Sequence, residues 1–160
     1  MKICIVLHSY SGITRGVAEK IRTACGGDLV EVKSRKEYSK ISAYTIGCMR
    51  ARRGEKDPID PDVIDVTPYD LVVIGTPVWA FRATPAMNGA MAALKGCEGK
   101  SAVIFATCGG SPGETLPFMR QALGEKGMNV RGECVITKKD LGTGAKTDEL
   151  IALVGASGNP

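Results

Sequence analysis

Short apolar runs alternate with amphipathic stretches along the whole chain, and none extends into a long hydrophobic segment. The first, Ile3-Cys4-Ile5-Val6-Leu7, is continuously apolar, as in a strand buried on both faces. After a brief polar turn comes a stretch in which Val17, Ala18 and Ile21 recur at the spacing of one helical face. Gly26-Gly27 end that helix. Residues 28–32 then read as a second strand. Residues 71–74 form a third, with Gly75 as its stop, residues 101–106 a fourth, and residues 129–136 a fifth. Helices are predicted over 85–95, 113–126 and 147–154. Strands alternating with helices define an α/β protein with a doubly wound, five-stranded parallel sheet. Ligands of such sheets sit beyond the carboxyl ends of the strands, where the strand order switches.

Composition narrows the function without changing this picture. A chain of 160 residues fits one domain, residues 1–160, with a sizeable core. It shows no internal repeat, low-complexity tract or linker. No apolar run is long enough to span a bilayer, and the N-terminus lacks the pattern of a cleaved leader, so a cytoplasmic location without membrane attachment is expected. The six cysteines are scattered without a Cys-x-x-Cys pair, which speaks against a zinc knuckle or a locally held iron–sulfur cluster. One histidine speaks against His-based metal sites and a Ser–His relay, and no metal is expected. The net charge of +4 is uneven. Eight basic and two acidic residues lie between Lys33 and Lys56, and the remainder is slightly acidic. That distribution is a near-neutral domain with one basic segment, not a nucleic-acid binder.

The chemistry concentrates in the turn after the first strand, Ser9-Tyr10-Ser11-Gly12-Ile13-Thr14. A helix start supplies unpaired backbone N–H groups and the positive end of the helix dipole. Three hydroxyls can donate to phosphate oxygens, and Gly12 admits a close backbone approach. The turn has no lysine, as a nucleoside-triphosphate loop requires, and no Gly-x-Gly-x-x-Gly, as a dinucleotide turn requires. A single phosphate monoester suits it best. The plainer reading is that Ser9 and Ser11 merely cap the helix. Two near-motifs fail: Gly99-Lys100-Ser101 precedes a strand and lacks the earlier glycine of a phosphate loop, and Gly142-Thr143-Gly144 lacks a third glycine.

This turn resembles the [Ser/Thr]-x-[Ser/Thr]-Gly-x-Thr phosphate loop of the flavodoxin family, in the position where that family carries it. The resemblance implies a flavodoxin-like sheet ordered 2-1-3-4-5 with helices on both faces, and FMN as the cofactor. It implies that Ser9, Ser11, Gly12 and Thr14 hold the FMN phosphate, with backbone N–H groups from Tyr10 and Ile13. Thr76-Pro77-Val78-Trp79-Ala80-Phe81-Arg82 contains the chain's only tryptophan and resembles the family's Gly-[Ser/Thr]-Pro-x-[Trp/Tyr] segment. By that likeness Trp79 covers the flavin ring and Val78 lines it. Thr107-Cys108-Gly109-Gly110-Ser111-Pro112-Gly113 resembles the second flavin loop, so Cys108, Gly109 and Gly110 are expected at the pyrimidine edge.

Two departures from classical flavodoxins stand out. The second flavin loop has no aromatic residue, which leaves one ring face open. Neither flavin loop contains Asp or Glu, and Arg82 stands close to the expected ring. A cation there stabilises the reduced anion, so a second-electron potential above that of classical flavodoxins is expected. The expected function is electron transfer to and from a redox partner protein. The alternatives are an NAD(P)H-dependent FMN oxidoreductase acting on quinone-type acceptors, and a cofactor-free interaction module. In the basic segment, Tyr38, Ile41, Thr45 and Cys48 have loose helical spacing. Arg50, Arg52 and Arg53 there suit an acidic partner or the 2′-phosphate of NADPH, set against a solvated helix face. His8 is expected to pack and hydrogen-bond rather than catalyse, and Cys108 to pack rather than act as a redox thiol.

Overall fold

The computed structural model of the chain describes residues 1–158. Its sheet consists of β1 (Ile3–His8), β2 (Asp28–Ser34), β3 (Leu71–Trp79), β4 (Ser101–Cys108) and β5 (Asn129–Thr137). These pair in parallel in the order β2-β1-β3-β4-β5, as expected. Three short additions were not legible in the sequence. Ile59–Asp60 pairs antiparallel with the outer edge of β2, Arg82–Ala83 folds back on the end of β3, and Ile64–Asp65 pairs with Leu94–Lys95 apart from the main sheet. The helices are α1 (Ile13–Cys25), α2 (Lys40–Ser42), α3 (Cys48–Arg52), α4 (Pro85–Ala93), α5 (Thr115–Glu125), α6 (Lys138–Thr143) and α7 (Ala145–Ala156).

All six residues of β1 are buried, because alternate side chains feed two cores. On one face Ile3, Ile5, Leu7, Val73 and Phe105 meet Val17 and Ile21 of α1 and Leu150 and Val154 of α7. On the other, Cys4, Val6, Val72, Ile74 and Ile104 meet Met87 and Met91 of α4 and Met119 and Leu123 of α5. Thr84 caps α4 by accepting the Met87 N–H at 3.2 Å, with Pro85 at the first helical position.

One expectation is corrected. The third strand does not stop at Gly75 but runs on to Trp79. Gly75 is there for packing: a Cβ at that position would collide with the ring of Phe105, its neighbour on β4. Thr76, Pro77, Val78 and Trp79 are therefore strand, and the loop is reduced to Ala80-Phe81, both at positive φ (49° and 66°). In the basic segment, Ile41 and Thr45 are exposed and Tyr38 and Cys48 half-buried, so the residues at this helical spacing do not form the packed face. α2 continues through a π-helical turn, Ala43–Gly47, into α3, and its buried positions are Ala43, Gly47 and Ala51. A Cβ on Gly47 would lie 2.8 Å from Cζ3 of Trp79, so only glycine lets this helix approach the tryptophan.

Candidate functional site

The turn between β1 and α1 is an open donor cluster. Gly12 is the N-cap at φ 94°, and no side chain caps the helix from that position. The Ser9 hydroxyl instead accepts the N–H groups of Gly12 (3.1 Å) and Arg15 (3.3 Å). Among the described residues, the backbone N–H groups of Ser11, Ile13 and Thr14 have no protein acceptor, and neither does the exposed Ser11 hydroxyl. Arg15 points elsewhere, onto Glu31 at 2.5–2.7 Å. Thr14 is buried, and its hydroxyl pairs at 2.8 Å with that of Thr107 at the end of β4. That bond ties the start of α1 to the end of β4.

Beside this turn stands Trp79, half-buried at the end of β3. Three aromatic rings meet it edge-on, with centroids at 6.1 Å (His8), 5.5 Å (Tyr10) and 5.6 Å (Tyr38). His8 is buried, and its Nδ1 lies 2.8 Å from the Thr84 hydroxyl, which agrees with a packing role. Burial pushes its pKa down to about 4, with Asp57 and Glu31 only partly offsetting that. Arg82 is half-buried opposite Trp79 in the hairpin. Thr76 is fully buried and accepts the Thr84 N–H at 3.4 Å, so it braces the hairpin from within.

Cys108 is half-buried at the end of β4, and burial pushes its thiol pKa up, which suppresses the reactive thiolate. Gly109 and Gly110 follow it, exposed and with open space where a side chain would stand. No carboxylate occurs in residues 9–14, 76–82 or 107–113. Phe81 projects outward from the hairpin tip. A depression of about 480 Å³ separates the turn from the end of β2, lined by His8, Ser9, Tyr10, Lys33, Tyr38 and Trp79. A larger groove of about 710 Å³ runs between the basic segment and Ala80.

Arg50 is corrected from a surface role to an internal one. It pairs with the carboxylate of Asp57, which also receives the hydroxyls of Ser34 (2.7 Å) and Tyr38 (3.0 Å). Arg52 and Arg53 remain exposed. Thr107, Tyr38 and Gly47 belong to the site's framework, although the sequence marks Thr107 only as part of the second flavin loop and Tyr38 only by its spacing in the basic segment. Thr107 immediately precedes Cys108, but its pairing with Thr14 spans 93 positions.

A flavodoxin family model matches residues 2–125, a span that includes all three strand-end segments. The chain belongs to the flavodoxin family. No curated protein matches its sequence. Among solved structures, a Lactobacillus acidophilus flavoprotein in complex with FMN shares 23% identity. That likeness covers 89% of this chain and 97% of that one, at a TM-score of 0.67. A Bacteroides eggerthii protein assigned to the flavoproteins reaches a TM-score of 0.76 at 22% identity, covering 99% of each chain. Two-electron reduced Megasphaera elsdenii flavodoxin gives 0.63 at 17% identity, covering 96% of this chain and 98% of that one. At these identities the likeness is one of fold. Among the described residues of this flavodoxin-family chain, no helix is long and apolar enough to cross a membrane. No group of three or more His, Cys, Asp or Glu residues among them is placed to hold a metal ion.

Proposed function

We propose that this flavodoxin-family chain binds FMN across the ends of β1, β3 and β4 and works as a single-domain electron carrier. The observation that carries this reading is the donor cluster at the start of α1. Three unpaired N–H groups and the free Ser11 hydroxyl stand at a helix N-terminus, in a turn that itself carries no carboxylate, which is the environment a phosphate monoester needs. The residues present fit the cofactor. Ser9, Tyr10, Ser11, Gly12, Ile13 and Thr14 would hold the phosphate. Thr76, Pro77, Val78, Trp79, Ala80 and Phe81 would form the shelf beside the ring, with the Trp79 ring against it. Cys108, Gly109 and Gly110 would rim its polar edge.

When bound, FMN supplies one- and two-electron redox chemistry, while the chain supplies position and electrostatics. Arg82 contributes positive charge at the ring end and is in no ion pair among the described residues, which favours the reduced, anionic form. No side chain is assigned as a general acid or base.

The test is the absorption spectrum of the purified protein, followed by FMN and riboflavin titrations of the stripped protein. Ser11→Ala removes one hydrogen bond to a charged group, worth about 1.5–3 kcal/mol. FMN affinity is expected to fall about ten- to hundredfold, and riboflavin affinity, which lacks the phosphate term, to stay unchanged. Equal losses for both ligands would remove Ser11 from the phosphate site. A colourless protein without an FMN-induced thermal shift would leave the cofactor-free module as the reading. Rapid flavin bleaching by NADPH alone would replace the carrier with the oxidoreductase.

A further inference from the structure

We infer that the outer face of the α2–α3 segment, with the tip of the β3 hairpin, is the docking surface for an acidic redox protein. This inference rests on the electron-carrier reading above and names the partner's chemistry and where it sits. The segment's inner face is anchored. Ala43, Gly47 and Ala51 are buried, and Arg50 is clamped to Asp57 and to the Tyr38 hydroxyl. The outer face therefore cannot turn inward, yet it carries large apolar side chains. Ile41 is 79% exposed, Tyr44 82% and Met49 45%, and the neighbouring hairpin tip adds Phe81 at 61%. Phe81 is held outward on left-handed backbone, its carbonyl accepting the Glu114 N–H at 3.0 Å and Gly113 packed tightly against it. Grouped exposed apolar residues of this size mark an interaction site on a monomer.

Charge identifies the partner. Of the eight cations between Lys33 and Lys56, only Arg50 has a carboxylate partner among the described residues. The segment's two acids are Glu37 and Glu55, and Glu55 is already paired with Arg50 at 3.6 Å. Arg52 and Arg53 border the 710 Å³ groove that ends at Ala80. A partner with an apolar centre and a carboxylate rim complements this surface and is steered to it. Ile41 and Phe81 lie outside the groove, so the apolar surface is wider than a small anion would cover. The surface also adjoins Trp79, through Gly47 and Ala80, so a docked partner stands beside the proposed ring end.

The test uses FMN-loaded protein and a reduced, acidic [2Fe–2S] ferredoxin, mixed by stopped flow at low and high salt. Two ferredoxins each release one electron to the flavin, and solvent supplies the accompanying proton. The rate is expected to fall about tenfold or more as salt rises. The double charge reversal Arg52→Glu/Arg53→Glu is expected to slow it by a similar factor at low salt. Tyr44→Ala is expected to slow it at both salts. None of these changes should alter FMN affinity, and transfer to basic cytochrome c should not be slowed by the charge reversal. A charge-reversed protein that reacts with ferredoxin at the parent rate overturns the proposal. So does loss of NADPH binding with the ferredoxin rate intact, which would make the groove a nucleotide site. If the protein takes up no FMN, the electron-carrier reading fails, and docking is read separately from amide shifts of the labelled chain on adding ferredoxin. Shifts centred on residues 41–53 and 80–82 support the surface, and their absence overturns it.

Discussion

His8 makes stability depend on pH in a way this chain can report cleanly, because it is the only histidine. Its ring is buried under Trp79 with Nδ1 against the Thr84 hydroxyl. That hydroxyl already accepts the Met87 N–H, so its own proton is free to point at Nδ1. A neutral ring with its hydrogen on Nε2 accepts that proton at Nδ1, whereas protonating Nδ1 makes the Thr84 hydroxyl turn its hydrogen away and accept instead. Burial lowers the folded-state pKa from 6.5 to about 4. The unfolded chain therefore takes up a proton as pH falls below 6.5, while the folded chain does not do so until near pH 4. Stability is full above the unfolded pKa and declines as pH drops, by about 1.4 kcal/mol per unit. The loss amounts to about 2 kcal/mol by pH 5 and about 3 kcal/mol once pH is below 4. Urea denaturation at pH 7, 6 and 5 measures it. His8→Gln keeps an amide oxygen to accept from Thr84 and has no charge to gain, so its midpoint should stay level over that range. A parent protein with a level midpoint, or a Gln variant with the same decline, would refute the reasoning.

Three further changes probe the framework. Arg50→Met strands the Asp57 carboxylate, whose side chain is fully buried, and should cost about 3–5 kcal/mol. Arg50→Met/Asp57→Leu should recover most of that in denaturant titrations, and additive losses would contradict a coupled pair. Gly75→Ala drives a methyl group into the Phe105 ring, and a loss of about 1–3 kcal/mol is expected as a lowered melting temperature. Adding Phe105→Leu should restore part of it, and a Gly75→Ala protein that melts like the parent would argue against the contact. Gly47→Ala places a Cβ 2.8 Å from Trp79 and should shift the emission maximum of this sole tryptophan, whereas an unchanged spectrum would mean the helix gives way instead.

What could be read from sequence was whatever lies close together along the chain. The β1 run is apolar throughout because both faces of the sheet are covered, and the turn after it declares its donors within six residues. Gly75 misled because a glycine in a strand pattern signals either a stop or a close approach, and only the position of Phe105 decides between them. In the basic segment the packing signal was missing for the opposite reason. Its packed positions are Ala43, Gly47 and Ala51, small residues that scarcely register as hydrophobic, while its large apolar side chains face outward. The site's long-range pairs, Thr14 with Thr107 and His8 with Thr84, join residues 93 and 76 positions apart. Nothing local in either member announces the other.

The extension of β3 past Gly75 also bears on how tightly a ligand can be held. Thr76 and Pro77 are paired with Ala106 and Thr107, and Val78 and Trp79 with Ala83 and Arg82. In a free loop, ordering each such residue on binding would cost about 1–2 kcal/mol of backbone entropy. Here folding has already met that cost, so a ligand seated beside Trp79, as proposed above, would meet a preorganised shelf. The dissociation constant of a ligand at the strand ends would thereby be coupled to the interior. A change at the buried Phe105, which packs against Gly75 beneath the shelf, would on that proposal loosen the shelf and weaken binding before it unfolds the protein.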